Sequence, residues 1–328
     1  MKKIFKLFLC IILAISLFGC NNQTNNNDES IYNVAIIKQL DHPSLEEIAN
    51  AIASQLEKLS KEKNIKIKYI IDSGNNDPTT LQQYASSYLS NKIDVIVPIA
   101  TLAAQTMVSA CQGSDTKIIY AAISDPEGAQ LVNLDNVSGT SDALNTKQIM
   151  DMMFTINPNI KNVGLLYSQS EVNSEKPIKD AKTYLDNKGI KYIDATGNND
   201  SEVAQAVSSL IASGVDAIFT PTDNVIMASE ITTAEKLIAA GIPHYTGADS
   251  FVRNGGFVTC GVNYTDLGYK TADLVVEALL NGMNNLEDYY VMEGGFITVN
   301  TETAKALNID YSSLSNYGSI IEVETTED

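Results

Sequence analysis

From residue 32 onward, short apolar runs alternate with longer amphipathic ones along almost the whole chain. The short runs (33–37, 65–71, 95–98, 117–121, 163–167, 191–194, 217–220, 244–246 and 257–262) are rich in Val and Ile, and most are apolar throughout. Runs of that kind predict strands covered on both faces. The stretches between them (45–61, 79–90, 102–110, 145–154, 175–188, 202–212, 225–239 and 266–280) read as helices. In the first, Leu45, Ile48, Ala49, Ile52, Leu56 and Leu59 keep helical spacing and form one apolar stripe. Ser44 followed by Glu47 reads as a capping box. Gly189, Gly214 and Gly241 follow helices where a left-handed C-cap is expected. Regular βα alternation predicts parallel sheets with right-handed crossovers.

The pattern also repeats. GNND occurs at 74–77 and at 197–200, each time after IKYI and before a helix-type stretch. KIDVIVPIATLAAQTM and GVDAIFTPTDNVIMAS then match, as do the starts YNVAIIKQLDHPS and KNVGLLYSQSEVNS. A period near 120 residues is the size of a domain rather than of a solenoid repeat. The chain therefore carries two similar halves. Residues from 263 onward match neither half, so they must return to complete the sheets. The expected fold is α/β, with two doubly wound parallel-sheet lobes joined by a three-crossover hinge. Lobe 1 is 31–139 plus 264–295, and lobe 2 is 140–263 plus 296–328. Hinge positions are expected at 139–141, 262–264 and 296–298.

The first thirty residues break the pattern. Lys2, Lys3 and Lys6 precede an apolar run from Leu7 to Phe18 and then Gly19-Cys20. This reads as a secretory signal peptide over 1–19. The ending LFGC is similar to a bacterial lipobox, which implies lipidation of Cys20, and the Asn-rich stretch over 20–30 reads as a flexible tether. Net charge is −18, and becomes −21 without the three leader lysines. Such acidity argues against nucleic-acid partners. Arg253 is the one arginine in the sequence, so a bound anion must rely on backbone N–H groups, hydroxyls or lysines. Cys111 and Cys260 fall in different lobes, and no disulfide is expected.

DHPSLEE, VPIATLAAQ, AISDPEGAQLV, NVSGTSD, YSQSEVNS, FTPTDNVI and FVRNGGFVTCGVNYTDLGYKTA together resemble the ABC-transporter substrate-binding lipoproteins of the tryptophan/tyrosine type, on the class I periplasmic-binding-protein fold. The resemblance covers residues 32 to about 307. It implies an extracytoplasmic receptor, lipid-anchored at the cell membrane of a Gram-positive surface. Such a receptor binds a small amino acid, tyrosine, tryptophan or phenylalanine, and delivers it to an ABC permease.

In open α/β sheets ligands bind beyond the carboxyl ends of the strands. The loops there carry His42, Ser44, Thr101, Ser124, Asp125, Ser141, Asn173, Ser174, Asp223, Asn224, Asp249, Ser250 and Tyr264. Ser44 and Thr101, with adjoining backbone N–H groups and with Asn173 and Ser174, are candidates for an α-carboxylate, since helix starts favour anions. Ser44, Thr101, Ser174 and Asn224 also read as plain N-caps. Asp125, Asp223 and Asp249 are candidates for an α-ammonium, or simply turn formers. His42 reads equally as a ligand contact and as a surface loop residue, while Tyr264 offers an aromatic face.

No nucleophile elbow, phosphate loop or dinucleotide fingerprint is present. His42 and His244 lie in opposite halves, and no metal-ligand spacing occurs. The reading is a binding protein rather than an enzyme, without cofactor or metal. A sugar- or nucleoside-binding lipoprotein, or a surface attachment protein (adhesin), are the alternatives. A regulator of this fold would need a basic helix-turn-helix ahead of the first lobe.

Overall fold

The computed structural model describes residues 31–326, so the leader, Cys20 and the tether lie outside the described residues. In the first half, β1 (Ile31–Lys38), β2 (Lys66–Ser73), β3 (Val95–Ile99), β4 (Lys117–Tyr120) and β5 (Val137–Ser141) alternate with α1 (Pro43–Glu62), α2 (Pro78–Ser90) and α3 (Thr101–Ala110). They form one parallel sheet in the order β2-β1-β3-β4-β5, extended by the two-residue β11 (Tyr290–Val291).

The second half repeats the plan. Strands β6 (Asn162–Tyr167), β7 (Lys191–Thr196), β8 (Ala217–Thr220), β9 (His244–Thr246) and β10 (Val258–Val262) stack as β7-β6-β8-β9-β10. Then come β12 (Gly294–Asn300), antiparallel to β10, and β13 (Ile320–Val323). Helices α4 (Thr146–Ile156), α5 (Val172–Lys188), α6 (Asp200–Ala212), α7 (Asn224–Ala228), α8 (Glu230–Ala240) and α9 (Asp249–Arg253) belong to this half. The 2-1-3-4-5 order in both sheets is a doubly wound arrangement whose binding crevice opens where the order reverses.

The continuous apolar strands are explained by burial on both faces. On β1, Val34 and Ile36 pack with Ile48, Ile52 and Leu56 of α1, while Ala35 and Ile37 pack with Leu81, Ala85, Ala103 and Met107. Successive side chains on a strand point to opposite faces, so a strand sandwiched between helices has no polar side to show. Helix α10 (Tyr264–Asn281) returns to the first half and lies against α1. The approach is close at Gly268, where a Cβ would stand 2.5 Å from Ala51 Cβ and 2.9 Å from the Ile48 carbonyl oxygen. Helix α11 (Thr301–Ala306) follows β12 in the second half.

Several sequence expectations need correction. Strand β12 begins at Gly294, so 296–298 lies inside a strand, and the third connection is the short link after Val291. Strand β5 continues through Ser141, so the expected stretch 139–141 lies inside it and the first connection begins after Ser141. The stretch 225–239 is two helices broken at Ser229, whose hydroxyl donates to Asp200 at 2.8 Å. No capping box forms at Ser44. The N-cap of α1 is His42, Ser44 Oγ is bonded to Ser250, and Glu47 accepts from Thr265. The two GNND copies also differ. Asn75 and Asn76 adopt left-handed φ of 51° and 55° and Asp77 caps α2, whereas Asn199, with φ −159°, caps α6. Gly189, Gly214 and Gly241 do adopt the left-handed conformation expected after helices.

Candidate functional site

The helix starts differ in one respect that locates the site. Side-chain caps close the N-termini of α2 (Asp77), α4 (Asn145), α6 (Asn199), α7 (Asp223), α10 (Asn263) and α11 (Asn300). Helices α1, α3, α5, α8 and α9, whose N-cap residues are His42, Ala100, Glu171, Ser229 and Ala248, have none. Three of these five N-cap residues, His42, Ala100 and Ala248, line one narrow cavity between the halves, with about 30 Å³ open to water-sized molecules. Helix starts left open toward a cavity leave N–H groups and partial positive charge for an anion. Backbone strain marks the same wall. Ala100 holds φ 75°, ψ 164° and Ala122 holds φ 56°, and both line the cavity. Such conformations cost non-glycine residues about 1–3 kcal/mol each and gather at ligand sites.

Of the residues singled out from sequence, His42, Ser44, Thr101, Ser124, Asn173, Asp223, Asn224, Ser250 and Tyr264 line this cavity. Four are not among its lining. Asp125 sits in an exposed groove beside Val172, Glu175 and Lys176, accepting from the Gly128 N–H. Asp249 turns to Arg253 Nε at 3.1 Å. Ser141 Oγ accepts from the Ala143 N–H, and Ser174 lies behind the wall, donating to Asp223 at 2.7 Å. Asp125 and Asp249 therefore form no pair across the cavity. Each has a local partner, Gly128 and Arg253, supplied by its own loop or helix.

Asp223 reaches the cavity wall, but its acceptor capacity is consumed. Oδ1 takes the N–H groups of Val225 and Ile226, and Oδ2 takes the Ser168 N–H and the Ser174 hydroxyl. A carboxylate has about four lone-pair sites, so the capping role accounts for all of them.

Asp142, which sequence reasoning passed over, is different. It is buried at the end of β5, lines the cavity, and accepts from two side chains among the described residues, Ser124 Oγ at 2.9 Å and Tyr264 OH at 3.1 Å, besides its own backbone N–H. No lysine, arginine or histidine is paired with it among the described residues. Burial pushes its carboxyl above the ordinary range, against the pull of those two hydroxyls. A cation delivered beside it would fill the open lone pairs and hold the charge. The only sequence signal was the strand-end position of SGTSD, where Ser141 was chosen in place of its neighbour.

Glu171 was also passed over. It is buried, and it accepts from Gln39 Nε2 at 2.8 Å and from Asn224 Nδ2 at 2.6 Å. Burial pushes the Glu171 carboxyl up; burial, and then the charge of Glu171, push Asp223 up to about 7.

The halves touch around the cavity through four side-chain pairs. These are Gln39–Glu171, His42–Asn224 at 3.1 Å, Ser44–Ser250 at 2.6 Å and Ser124–Thr222 at 2.9 Å. The cleft is shut. Leu45, Met227, Ala248 and Phe251 supply an apolar part of its lining.

Residues 33–317 match the family model described as ABC transporter substrate binding protein. The chain belongs to that family, a family of solute-binding receptors, on the class I periplasmic-binding-protein fold. It is 31% identical to a tyrosine-binding protein of Clostridioides difficile, over 96% of this chain and 95% of that one. It resembles an ABC domain from Streptococcus pneumonia in complex with L-Trp, at 28% identity and TM-score 0.80, covering 90% of this chain and 100% of that one. The ligand-free, open structure of a substrate-binding protein with adhesive properties from Clostridium difficile is 29% identical over the same shares, with TM-score 0.67. At nearly equal identity the chain superposes better on the ligand-bound relative, in keeping with its shut cleft.

Proposed function

We propose that this chain is an extracytoplasmic receptor that captures one free aromatic amino acid between its lobes and hands it to an ABC importer. The observation that carries the reading is the polarity of the cavity. One wall holds a buried carboxylate, Asp142, with unfilled lone pairs and no cation. Another holds the starts of α1 and α3, which their own N-cap residues leave open, with Gln39 taking the Leu102 N–H of α3. A zwitterion satisfies both: its ammonium offers three donors to Asp142, and its carboxylate meets the free N–H groups near Ser44 and Thr101. Leu45, Met227 and Phe251 suit an apolar side chain. The names of the relatives, one tyrosine-binding and one complexed with L-Trp, support an aromatic one.

In this proposal the two lobes close on the ligand, and the closed form is what a permease recognises. Cys20 carries the membrane anchor, with 21–30 as tether. The lining residues named above, Asp142 added, make the binding set. Calorimetry with the twenty amino acids, sugars and nucleosides tests the reading. Micromolar or tighter binding confined to tyrosine, tryptophan or phenylalanine is expected. Binding of a sugar or nucleoside in their place would end it.

A further inference from the structure

His42 is the lining residue whose hydrogen bonding is incomplete. Its Nε2 stands 3.1 Å from Asn224 Oδ1, while its Nδ1 is enclosed and has no partner among the described residues. Which nitrogen carries the proton is settled by a chain of contacts that begins at a backbone donor. The Leu102 N–H donates to Gln39 Oε1 at 3.0 Å, which turns Gln39 Nε2 toward Glu171 Oε1. The other oxygen of Glu171 is approached by the Asn224 backbone N–H at 3.5 Å and by Asn224 Nδ2 at 2.6 Å. Asn224 is thereby oriented with Oδ1 toward His42. A side-chain carbonyl oxygen only accepts, so Nε2 holds the hydrogen. Burial pushes the imidazole down to about 4, and at neutral pH the ring is neutral with a bare lone pair on Nδ1.

His42 lines the same cavity as Met227 and Phe251, and Lys38 and Asp41 lie within electrostatic reach of its ring. Asn224 and Met227 are three residues apart on α7, and so share a face. Ser44, two residues beyond His42, is bonded to Ser250, whose hydroxyl also reaches Met227 Sδ at 3.2 Å. Phe251 is next in sequence to Ser250 and lines the same space. Asp142 belongs to a separate set with Ser124 and Tyr264.

We infer that His42 reads the ligand's side chain, its Nδ1 accepting a hydrogen bond from an N–H or O–H carried on the aromatic ring. This rests on the amino-acid reading above and adds a selectivity to it. Ligands with a ring donor, a phenol or an indole, satisfy the acceptor. Phenylalanine buries it unmet. A buried acceptor left without a donor lowers affinity by about 5- to 150-fold. The residue acts by desolvated pairing, the kind of contact that rejects an analogue lacking one polar group.

Calorimetry with tyrosine, tryptophan and phenylalanine, on the wild-type chain and on His42→Phe, tests the inference. The wild type is expected to bind tyrosine or tryptophan at least about tenfold tighter than phenylalanine. In His42→Phe that ratio should fall to within about threefold, chiefly by weakening the ligand with the ring donor. Equal weakening of all three would assign Nδ1 to the ammonium and overturn the inference. So would a wild type that binds all three alike, although the amino-acid reading would survive. If none binds, both fall. A second readout avoids the substitution. The chain has two histidines, so nitrogen-15 resonances of labelled imidazoles separate readily. The His42 Nδ1 resonance should move on adding the preferred ring-donor ligand and stay near its free position with phenylalanine. Identical shifts with both would overturn it.

Discussion

Gln39, at the carboxyl end of β1, donates its side-chain N–H to Glu171, ahead of α5, at 2.8 Å across the cleft. Glu171 also accepts from Asn224, which holds His42 of the opposite half. The two carboxylate oxygens thus tie both lobes into one hydrogen-bonded chain. Each neutral hydrogen bond contributes about 1 kcal/mol net, and those to a charged group somewhat more. Contacts of this size shift an open–closed equilibrium substantially. Glu171→Ala should populate the open form without ligand. Solution scattering should then show a larger radius of gyration than wild type, restored by ligand. An unliganded variant as compact as wild type would argue against the tie.

Asp142 and Asp249 each follow a strand, and the fold gives them different partners. Asp142→Asn removes the charge expected to hold the ammonium, and affinity should fall about 30-fold or more, roughly 2 kcal/mol or above. Asp249→Asn breaks a partly exposed pair with Arg253 and should change affinity less than about twofold. Isothermal calorimetry on the two proteins gives the comparison. A larger loss in Asp249→Asn would place the ammonium at the other carboxylate.

Asp223 is a structural residue at the edge of the site. Asp223→Ala strips four accepted hydrogen bonds from the start of α7 and from Ser168 and Ser174. The expected cost is about 2–4 kcal/mol of stability, from a lost cap and from buried donors left unmet. Urea unfolding should show a lower midpoint with an unchanged slope. A variant as stable as wild type would mean that the carboxylate is free for other work.

His42 also predicts a pH dependence with a definite sign. Its imidazole titrates about 4 in the folded chain, below the ordinary 6.5, because of burial. Between those values the unfolded chain binds more protons, so this group's contribution is full above 6.5 and fades as pH falls toward 4. Asp223, pushed up to about 7, works in the opposite sense, so wild type alone will not isolate the effect. The stability difference between wild type and His42→Gln does. It should favour wild type increasingly as pH rises from about 4 to 6.5, by up to about 3 kcal/mol. A difference independent of pH would show an unperturbed histidine.

Gly268 lets α10 lie on α1. Gly268→Ala would drive a methyl into Ala51 and the Ile48 carbonyl. Crowding of that kind costs about 1–3 kcal/mol despite the better helix propensity of alanine. Differential scanning calorimetry should register a lower midpoint, and a higher one would show that the helices can separate freely.

Much of the architecture was legible because burial on both faces of a strand writes itself as an unbroken Val/Ile run. Strands β1, β3 and β8 are such cases. The edge strand β7 and the short β11 and β13 carry weaker signals, since part of their surface faces solvent and need not be apolar. The break at Ser229 was hidden because an apolar stripe continues through it. The strand-end loops were found by topology, which fixes where cleft residues must come from. Which of their side chains face inward was not fixed. Asp223, Asp249 and Asp142 each end or follow a strand, and no spacing rule tells a cap from a salt-bridge partner or an open acceptor.

The sequence by itself determined two repeated βα halves, their parallel order and the loops that meet at the cleft. These follow from local periodicity and chain connectivity. The tertiary structure decided which acids retain free lone pairs, which helix starts stay uncapped, and which histidine nitrogen is bare. Those depend on partners far apart in the chain, as Ser44 and Ser250 are at a separation of 206 residues. The hydrogen-bonding capacity of a side chain is settled only when every neighbour able to fill it has been brought into place.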